Sequence, residues 1–183
     1  MSPRRRYLAL LRAVNVGGHS VVKQSVLREQ FEAHGLVDVA TYLQSGNLAF
    51  TSEDTDAEGL ARRLEERLES ALGLCTMVFL FSKEQLEEAA AHNPFEPERL
   101  DGEQHCHLMF FCREPEPARR DALMALQGGE YRFHIQGTVL YYAFPRAIAG
   151  HRKSIDFERV LGLSGTARTW KVVNKLIELA DKL

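Results

Sequence analysis

Residues 10–18 read Leu-Leu-Arg-Ala-Val-Asn-Val-Gly-Gly, an apolar run that stops at a polar loop containing two glycines. With Tyr7, Leu8 and Ala9 before it, the run is continuous enough to predict a strand buried on both faces of a sheet. The glycines allow backbone amides to approach a ligand closely. This segment therefore predicts the first strand of the fold and, directly after it, one half of a binding site.

The segments after this loop predict the element order of a ferredoxin-like plait, which is strand-helix-strand-strand-helix-strand. Apolar residues spaced three or four apart indicate the helices, and capping boxes begin at Thr55 and Ser82. The two middle strands are joined by a Ser45-Gly46 hairpin turn. The predicted elements are a strand at 7–11, a helix at 23–34, strands at 37–44 and 47–51, a helix at 55–72, a strand at 75–81 and a helix at 82–91.

The second half predicts a βαββαα order. Its strands are expected at 105–112, 131–136 and 139–144, and its helices at 116–126, 154–161 and 167–180. Residues 93–97, Asn-Pro-Phe-Glu-Pro, break the preceding helix and mark the predicted boundary. The sequence thus predicts an α+β fold with a ferredoxin-like βαββαβ domain at 1–97 and a second βαββαα subdomain at 98–183, packed on the first.

Charge is distributed unevenly along the chain. The 183 residues have a formal net charge of −2, which argues against a general nucleic-acid-binding protein. Residues 52–104 carry 14 acidic and 5 basic side chains, whereas residues 145–175 carry 2 acidic and 7 basic ones. The amino end is basic as well, so we expect the two ends of the chain to share a positive surface. The basic residues of the amino end are Arg4, Arg5, Arg6 and Arg12.

Cysteine usage and hydropathy indicate the compartment. Cys75, Cys106 and Cys112 form no CxxC pair and are expected to be reduced thiols. The apolar stretch near the amino end is too short and too interrupted for a signal peptide, and no run reaches the roughly 20 apolar residues of a membrane span. We expect a cytoplasmic protein without membrane association.

Residues 44–47, Gln-Ser-Gly-Asn, form a second polar segment. In an antiparallel plait the third strand lies beside the first, so this hairpin turn lies at the same end of the sheet as the loop after the first strand. A guanidinium, carboxamides, a hydroxyl and glycine amides together suit a small anionic or nucleotide-like ligand. The predicted ligand-binding residues in these two segments are Arg12, Asn15, Gly17, Gly18, Gln44, Ser45, Gly46 and Asn47.

The start of the last predicted helix offers further positive charge. Ser164 or Thr166 is expected to cap this helix, and Arg168 and Lys171 lie in its first turns, where free amides attract anions. Arg168 and Lys171 are therefore added to the predicted ligand site. The alternative is an ordinary helix cap with Arg168 in a structural ion pair. For the two polar segments, the alternative is that asparagine and glycine merely shape turns.

Other classes of function stay open. The two segments hold no general base, so an enzyme would need His19 or His151 as its proton carrier. His105 and His107 share one face of a strand but lack a third ligand, so we expect neither a metal nor another cofactor. RNA binding would need an open sheet face with aromatic residues, whereas the first strand is apolar on both faces, and nucleic acid is therefore not expected. A homo-oligomeric assembly module is a further alternative, and the oligomeric state is open.

Four motifs, in order, resemble a bacterial family known as domain of unknown function 1697, and the likeness spans essentially the whole chain. The family also has a glycine-arginine-serine-lysine stretch where this chain has Gly-His-Arg-Lys-Ser at 150–154, and Thr169 stands where asparagine is common. The resemblance implies an α+β fold of ferredoxin-like character and no established activity, substrate or cofactor. The four motifs are residues 10–18, 42–47, 93–95 and 166–170, the last followed by Lys175-Leu176.

Overall fold

The computed structural model describes residues 4–15, 21–95, 104–128, 132–145 and 155–183. These residues form a mixed α+β structure with two four-stranded antiparallel sheets and six helices. The chain divides into two compact units, Met1–Glu88 with Val173–Leu183, and Ala89–Val172. The division into domains at 1–97 and 98–183 stays a prediction. No helix in the described part of the chain is long and apolar enough to span a membrane.

The first unit contains a sheet with the strand order β2-β3-β1-β4, in which every neighbouring pair is antiparallel. Its second strand ends at Thr41 rather than at the predicted residue 44. The turn that follows occupies residues 42–46 and is therefore longer than the predicted Ser45-Gly46 turn. Helix α3 (Lys83–Ala91) follows the sheet in the chain. The elements before α3 are β1 (Arg5–Leu11), α1 (Gln24–Glu32), β2 (Val37–Thr41), β3 (Asn47–Ser52), α2 (Ala57–Leu72) and β4 (Val78–Phe81).

Both faces of β1 are buried within the chain from Tyr7 to Leu11. Tyr7, Ala9 and Leu11 join the core formed with α1 and α2, while Leu8 and Leu10 on the other face have no exposed surface. The continuous apolar run is therefore a strand buried on both faces, as its pattern predicted. From α1 and α2, the core receives a stripe of leucines and one aromatic ring, which are Leu27, Phe31, Leu60, Leu64 and Leu68.

The residue that caps helix α2 is Asp56, one position after the predicted cap, Thr55. The Asp56 carboxylate, rather than Thr55, accepts a hydrogen bond from the backbone N–H of Gly59 at 2.9 Å. An aspartate at this position satisfies a free amide and also interacts favourably with the positive end of the helix dipole. The predicted helix is present, but a different side chain caps it.

The second unit repeats the strand arrangement of the first, with the order β6-β7-β5-β8 and antiparallel pairing throughout. The predicted βαββαα order is wrong here, because a fourth strand precedes the last helix. The elements of this part of the chain are β5 (Gln104–Phe111), α4 (Pro117–Met124), β6 (Arg132–Gln136), β7 (Val139–Pro145), α5 (Phe157–Leu161), β8 (Gly165–Thr169) and α6 (Trp170–Ala180).

Strand β8 occupies residues that were predicted to begin the last helix. It pairs with β5 along its whole length, and Ala167 packs against the core that contains Met109 and Leu140. Threonine favours strands, and the pairing with β5 overrides the helix-cap signal of this short segment. Helix α6 therefore starts at Trp170, and its early amide at Val172 donates to the Thr169 hydroxyl at 3.3 Å, so the predicted Ser164 or Thr166 cap is wrong.

Candidate functional site

The end of β1 lies directly against the turn between β2 and β3. The backbone N–H of Leu11 donates to the carbonyl of Gly46 at 2.8 Å, and Leu10 stands opposite Asn47 in the sheet. The two polar segments are thus in contact, although they are far apart in sequence. We refer to residues 12–15 and 42–47 together as the loop junction.

Asn15 links the parts of the loop junction. Its side-chain amide donates to the carbonyl of Val22 at 2.9 Å and to the carbonyl of Gln44, and its Oδ1 accepts from the Val22 N–H at 2.7 Å. The carboxamide therefore joins the end of the segment after β1 to Val22 and ties both to the hairpin turn. Asn15 shapes the site through backbone contacts, and its polar atoms are engaged in doing so.

Asn47 has a similar supporting role. Only 1% of its surface is exposed, and its amide donates to the Tyr42 carbonyl at 2.9 Å and to the Ser45 hydroxyl at 3.0 Å. A buried carboxamide is expensive unless its hydrogen bonds are formed, so this network fixes the turn. Asn47 consequently holds the conformation of the turn through its hydrogen bonds to Tyr42 and Ser45.

Left-handed backbone is concentrated in the loop junction. Ala13, Asn15, Leu43 and Gly46 have φ angles of 54°, 58°, 56° and 72°. Glycine and asparagine adopt this region readily, whereas alanine and leucine do so at a cost of roughly 1–2 kcal/mol each. Strained residues of this kind cluster at functional sites in proteins generally. Leu43 carries no turn signal in the sequence, so pattern reasoning missed it.

Two side chains of the loop junction, and Val21 outside it, face solvent. Leu43 is 47% exposed, and Val21, held nearby through the shared contacts of Asn15, is 58% exposed. The Gln44 side chain is exposed and makes no hydrogen bond to any residue that the structure describes. Two apolar side chains beside an available carboxamide form a surface with both apolar and polar character.

Arg12 lies on the β4 side of the loop junction. Its backbone N–H donates to the Met77 carbonyl at 2.9 Å, and its own carbonyl accepts from the Thr76 hydroxyl at 2.7 Å. It also lines a cavity of about 320 Å³ together with Glu65 and Glu69. Two carboxylates line the same cavity as Arg12, and their negative charge disfavours an anion there.

Arg168 and Lys171 belong to the second unit. Arg168 is 8% exposed, and its guanidinium donates to the Thr166 hydroxyl at 2.8 Å and to the Ala167 carbonyl at 2.9 Å. Burial lowers the pKa of this guanidinium to about 10, so it remains charged at neutral pH. Lys171 is exposed in the first turn of α6.

Several predicted residues lie outside the described part of the chain. They are Gly17, Gly18, His19 and His151. Among the residues that are described, no group of three His, Cys, Asp or Glu side chains is arranged to hold a metal ion. The ring of His107 instead stacks on Tyr142, with 4.9 Å between ring centroids.

A solved structure resembles this chain over nearly its full length. It is described as that of the conserved bacterial protein SP0830 from Streptococcus pneumoniae, with a TM-score of 0.73, 25% sequence identity and coverage of 97% of this chain and 99% of that one. No curated protein sequence matches. The family described as "Protein of unknown function (DUF1697)" matches residues 4–141, about three-quarters of the chain. The resemblance drawn from the motifs is confirmed, and the chain belongs to this family of unknown function.

Proposed function

We propose that this chain binds a small anionic or nucleotide-like ligand at the loop junction. The observation that carries the proposal is the concentration of left-handed backbone there, including Ala13 and Leu43, whose side chains oppose that conformation. Such strain persists only where the surrounding structure imposes it, and it is a feature of binding sites. The hydrogen bonds of Asn15 and Asn47 hold the strained backbone in place.

In this proposal, one set of residues positions the loops and another set, exposed to solvent, contacts the ligand. Asn15, Gly46 and Asn47 position the loops, while Leu43, Gln44 and Val21 would contact the ligand. Gln44 offers both a donor and acceptors, which suits a base edge, a carboxylate or a phosphate. The leucine and valine side chains would pack against an apolar part of the ligand, such as a base. Gly17 and Gly18 lie outside the described residues, and Arg168 and Lys171 belong to the other unit, so the proposal rests on the loop junction and Val21.

Binding of AMP, with sulfate as a second probe, tests the proposal. We expect ¹H–¹⁵N spectra to shift at residues 42–47, and the variant Gln44→Ala to weaken AMP binding about tenfold without changing the melting temperature. Gln127→Ala, which alters an exposed glutamine three residues after the end of α4, is the matched control and should leave binding unchanged. Shifts confined to other regions, or equal weakening in both variants, would contradict the proposal.

An enzyme using the same site is the alternative. Within the loop junction, residues 12–15 and 42–47 contain no Asp, Glu or His, and the histidines that this alternative requires lie outside the described residues. No observation in the described structure favours catalysis over binding. An RNA-binding or assembly module has less support, because both faces of β1 from Tyr7 to Leu11 and all of β3 are buried within the chain.

We also propose that each sheet and its helices form a ferredoxin-like plait and that the protein is cytoplasmic. The identical strand orders β2-β3-β1-β4 and β6-β7-β5-β8 support the first statement. The free thiols of Cys75, Cys106 and Cys112 support the second, because reducing compartments keep cysteines unpaired. Disulfide formation in protein purified from its native cell would contradict the assignment to the cytoplasm.

A further inference from the structure

A second cavity, of about 790 Å³, lies at the opposite end of β1 from the loop junction. Arg4, Arg5 and Arg6 line it together with Lys83, and Glu84 is the acidic residue among its lining groups. The seven residues of β1 separate the two places by about 20 Å, at roughly 3.3 Å per residue. The cavity is therefore a distinct site within the first unit.

The arginines of this cavity differ in how their charge is balanced. Arg4 forms an exposed ion pair with Glu53 at 3.4 Å, and Lys83 pairs with Glu87 and Asp181. Arg5 and Arg6 are both exposed, and neither forms an ion pair or side-chain hydrogen bond with a residue that the structure describes. Consecutive strand residues point to opposite faces, so the two side chains leave β1 on different faces, and both residues line the cavity with their donors available to a ligand.

The acidic group at the cavity, Glu84, lies in the first turn of α3 and offsets one of the positive charges. Ser82 and Gln85 form a reciprocal cap at the start of α3, with a bond from the Ser82 N–H to Gln85 Oε1 at 2.8 Å and one from the Gln85 N–H to the Ser82 hydroxyl at 3.3 Å. A hydrogen bond from Ser82 also lowers the pKa of Glu84, and this carboxylate is held at the helix terminus. The positive end of the α3 dipole adds to the potential of the arginines.

We propose that this cavity binds a multiply charged phosphate compound, with Arg5 and Arg6 as its principal ligands. The planar guanidinium presents paired donors that match phosphate oxygens, and two guanidinium groups that line one cavity from different faces of a strand favour a ligand long enough to carry more than one phosphoryl group. The volume lies within the range of about 300–1,000 Å³ that is typical of small-molecule sites and exceeds what one phosphate group needs. The inference is independent of the ligand proposed for the loop junction.

Calorimetric titration with pyrophosphate tests this site. The double variant R5Q/R6Q should raise the dissociation constant at least tenfold. The double variant R62Q/R113Q removes the same charge from two exposed arginines outside the cavity and should change it less than twofold. Because Arg5 and Arg6 are exposed, we expect both double variants to fold, as circular dichroism will check. R5K/R6K keeps the charge but loses the planar donors, and it should bind with intermediate affinity.

The position of binding provides an independent readout. Pyrophosphate should shift the amide signals of Ser82 to Gln85 in ¹H–¹⁵N spectra and leave those of residues 42–47 unchanged. Undetectable binding at millimolar pyrophosphate, or the same loss in both double variants, would overturn the proposal. Shifts at residues 42–47 alone would also overturn it while supporting the loop junction as the anion site.

Discussion

The side-chain amide of Asn15 donates to the backbone carbonyl of Gln44, 29 residues further along the chain. Gln44 takes part through its carbonyl, so its own side chain stays exposed and available. The same Asn15 nitrogen reaches the Val22 carbonyl, which brings a third segment to the same point. One carboxamide thus organises the loop junction while leaving its surface free for binding.

Replacing Asn15 should destabilise the protein more than its partial exposure suggests. Asn15→Ala removes three hydrogen bonds and places alanine in left-handed backbone at φ 58°. At about 1 kcal/mol for each hydrogen bond, we expect a loss of about 2–4 kcal/mol in the free energy of unfolding, measured in urea. Asn15→Gly removes the same bonds without the backbone strain and should recover about 1 kcal/mol of this loss.

Gln44→Ala is the matched control for Asn15, because it retains the accepting carbonyl. We expect it to change the free energy of unfolding by less than about 0.5 kcal/mol, as for an ordinary surface substitution. Equal destabilisation by Gln44→Ala and Asn15→Ala would show that the Asn15 side chain does not organise the junction.

Gly46→Ala should be among the more damaging substitutions of a glycine in the first unit. A Cβ at this position would lie 2.7 Å from the Leu11 Cβ and 3.2 Å from the Val14 Cβ, and φ is 72°. Strain and overpacking together should lower the free energy of unfolding by about 2–4 kcal/mol. Gly73→Ala has a comparable φ of 63° but open space around the added atom, and it should lose only about 1 kcal/mol. Similar urea midpoints for the two variants would rule out a close-packing role for Gly46.

The contact between the two polar segments could be predicted because strand order determines which ends of a sheet are neighbours. Once the plait was inferred, the turn before β3 had to lie near the end of β1. The hydrogen bonds of Asn15 could not be predicted in the same way, because backbone groups of two separate residues, Val22 and Gln44, meet at one side chain. The left-handed backbone of Leu43 could not be predicted either. Leucine gives no turn signal, and the surrounding structure imposes this conformation.

Strand β8 shows a different limit of pattern reasoning. Gly165, Thr166 and Arg168 resemble the start of a helix when only near neighbours are considered. The pairing of this segment with β5, more than fifty residues earlier in the chain, decides its conformation. Arg12 is predicted as a ligand residue from its guanidinium and its position after the first strand; the cavity that it lines with Glu65 and Glu69 depends on long-range packing that the pattern does not show.

Leu43→Asn should separate stability from binding. Asparagine tolerates left-handed backbone better than leucine does, and little buried surface is lost because Leu43 is 47% exposed. We expect the free energy of unfolding to rise by about 0.5–1 kcal/mol while AMP binding weakens, a trade-off common at functional sites. Leu126→Asn changes an equally exposed leucine that is not in left-handed backbone and should produce neither effect. If Leu43→Asn raises stability and leaves AMP binding intact, Leu43 is no ligand contact.

His34 should make the stability of the protein depend on pH. Burial, followed by the nearby charges of Arg63 and Arg67, lowers the pKa of His34 below its ordinary value of 6.5. As the pH falls below 6.5, the unfolded chain therefore takes up this proton before the folded chain does, and the free energy of unfolding decreases by at most about 1.4 kcal/mol per pH unit for one such group. Above that range the contribution is fully present.

The variant His34→Gln should reduce the difference between the unfolding free energies at pH 7 and pH 5. His134→Gln, which changes an exposed histidine on β6, should retain the wild-type difference. Parallel pH profiles for wild type and His34→Gln would exclude His34 as the source of the dependence.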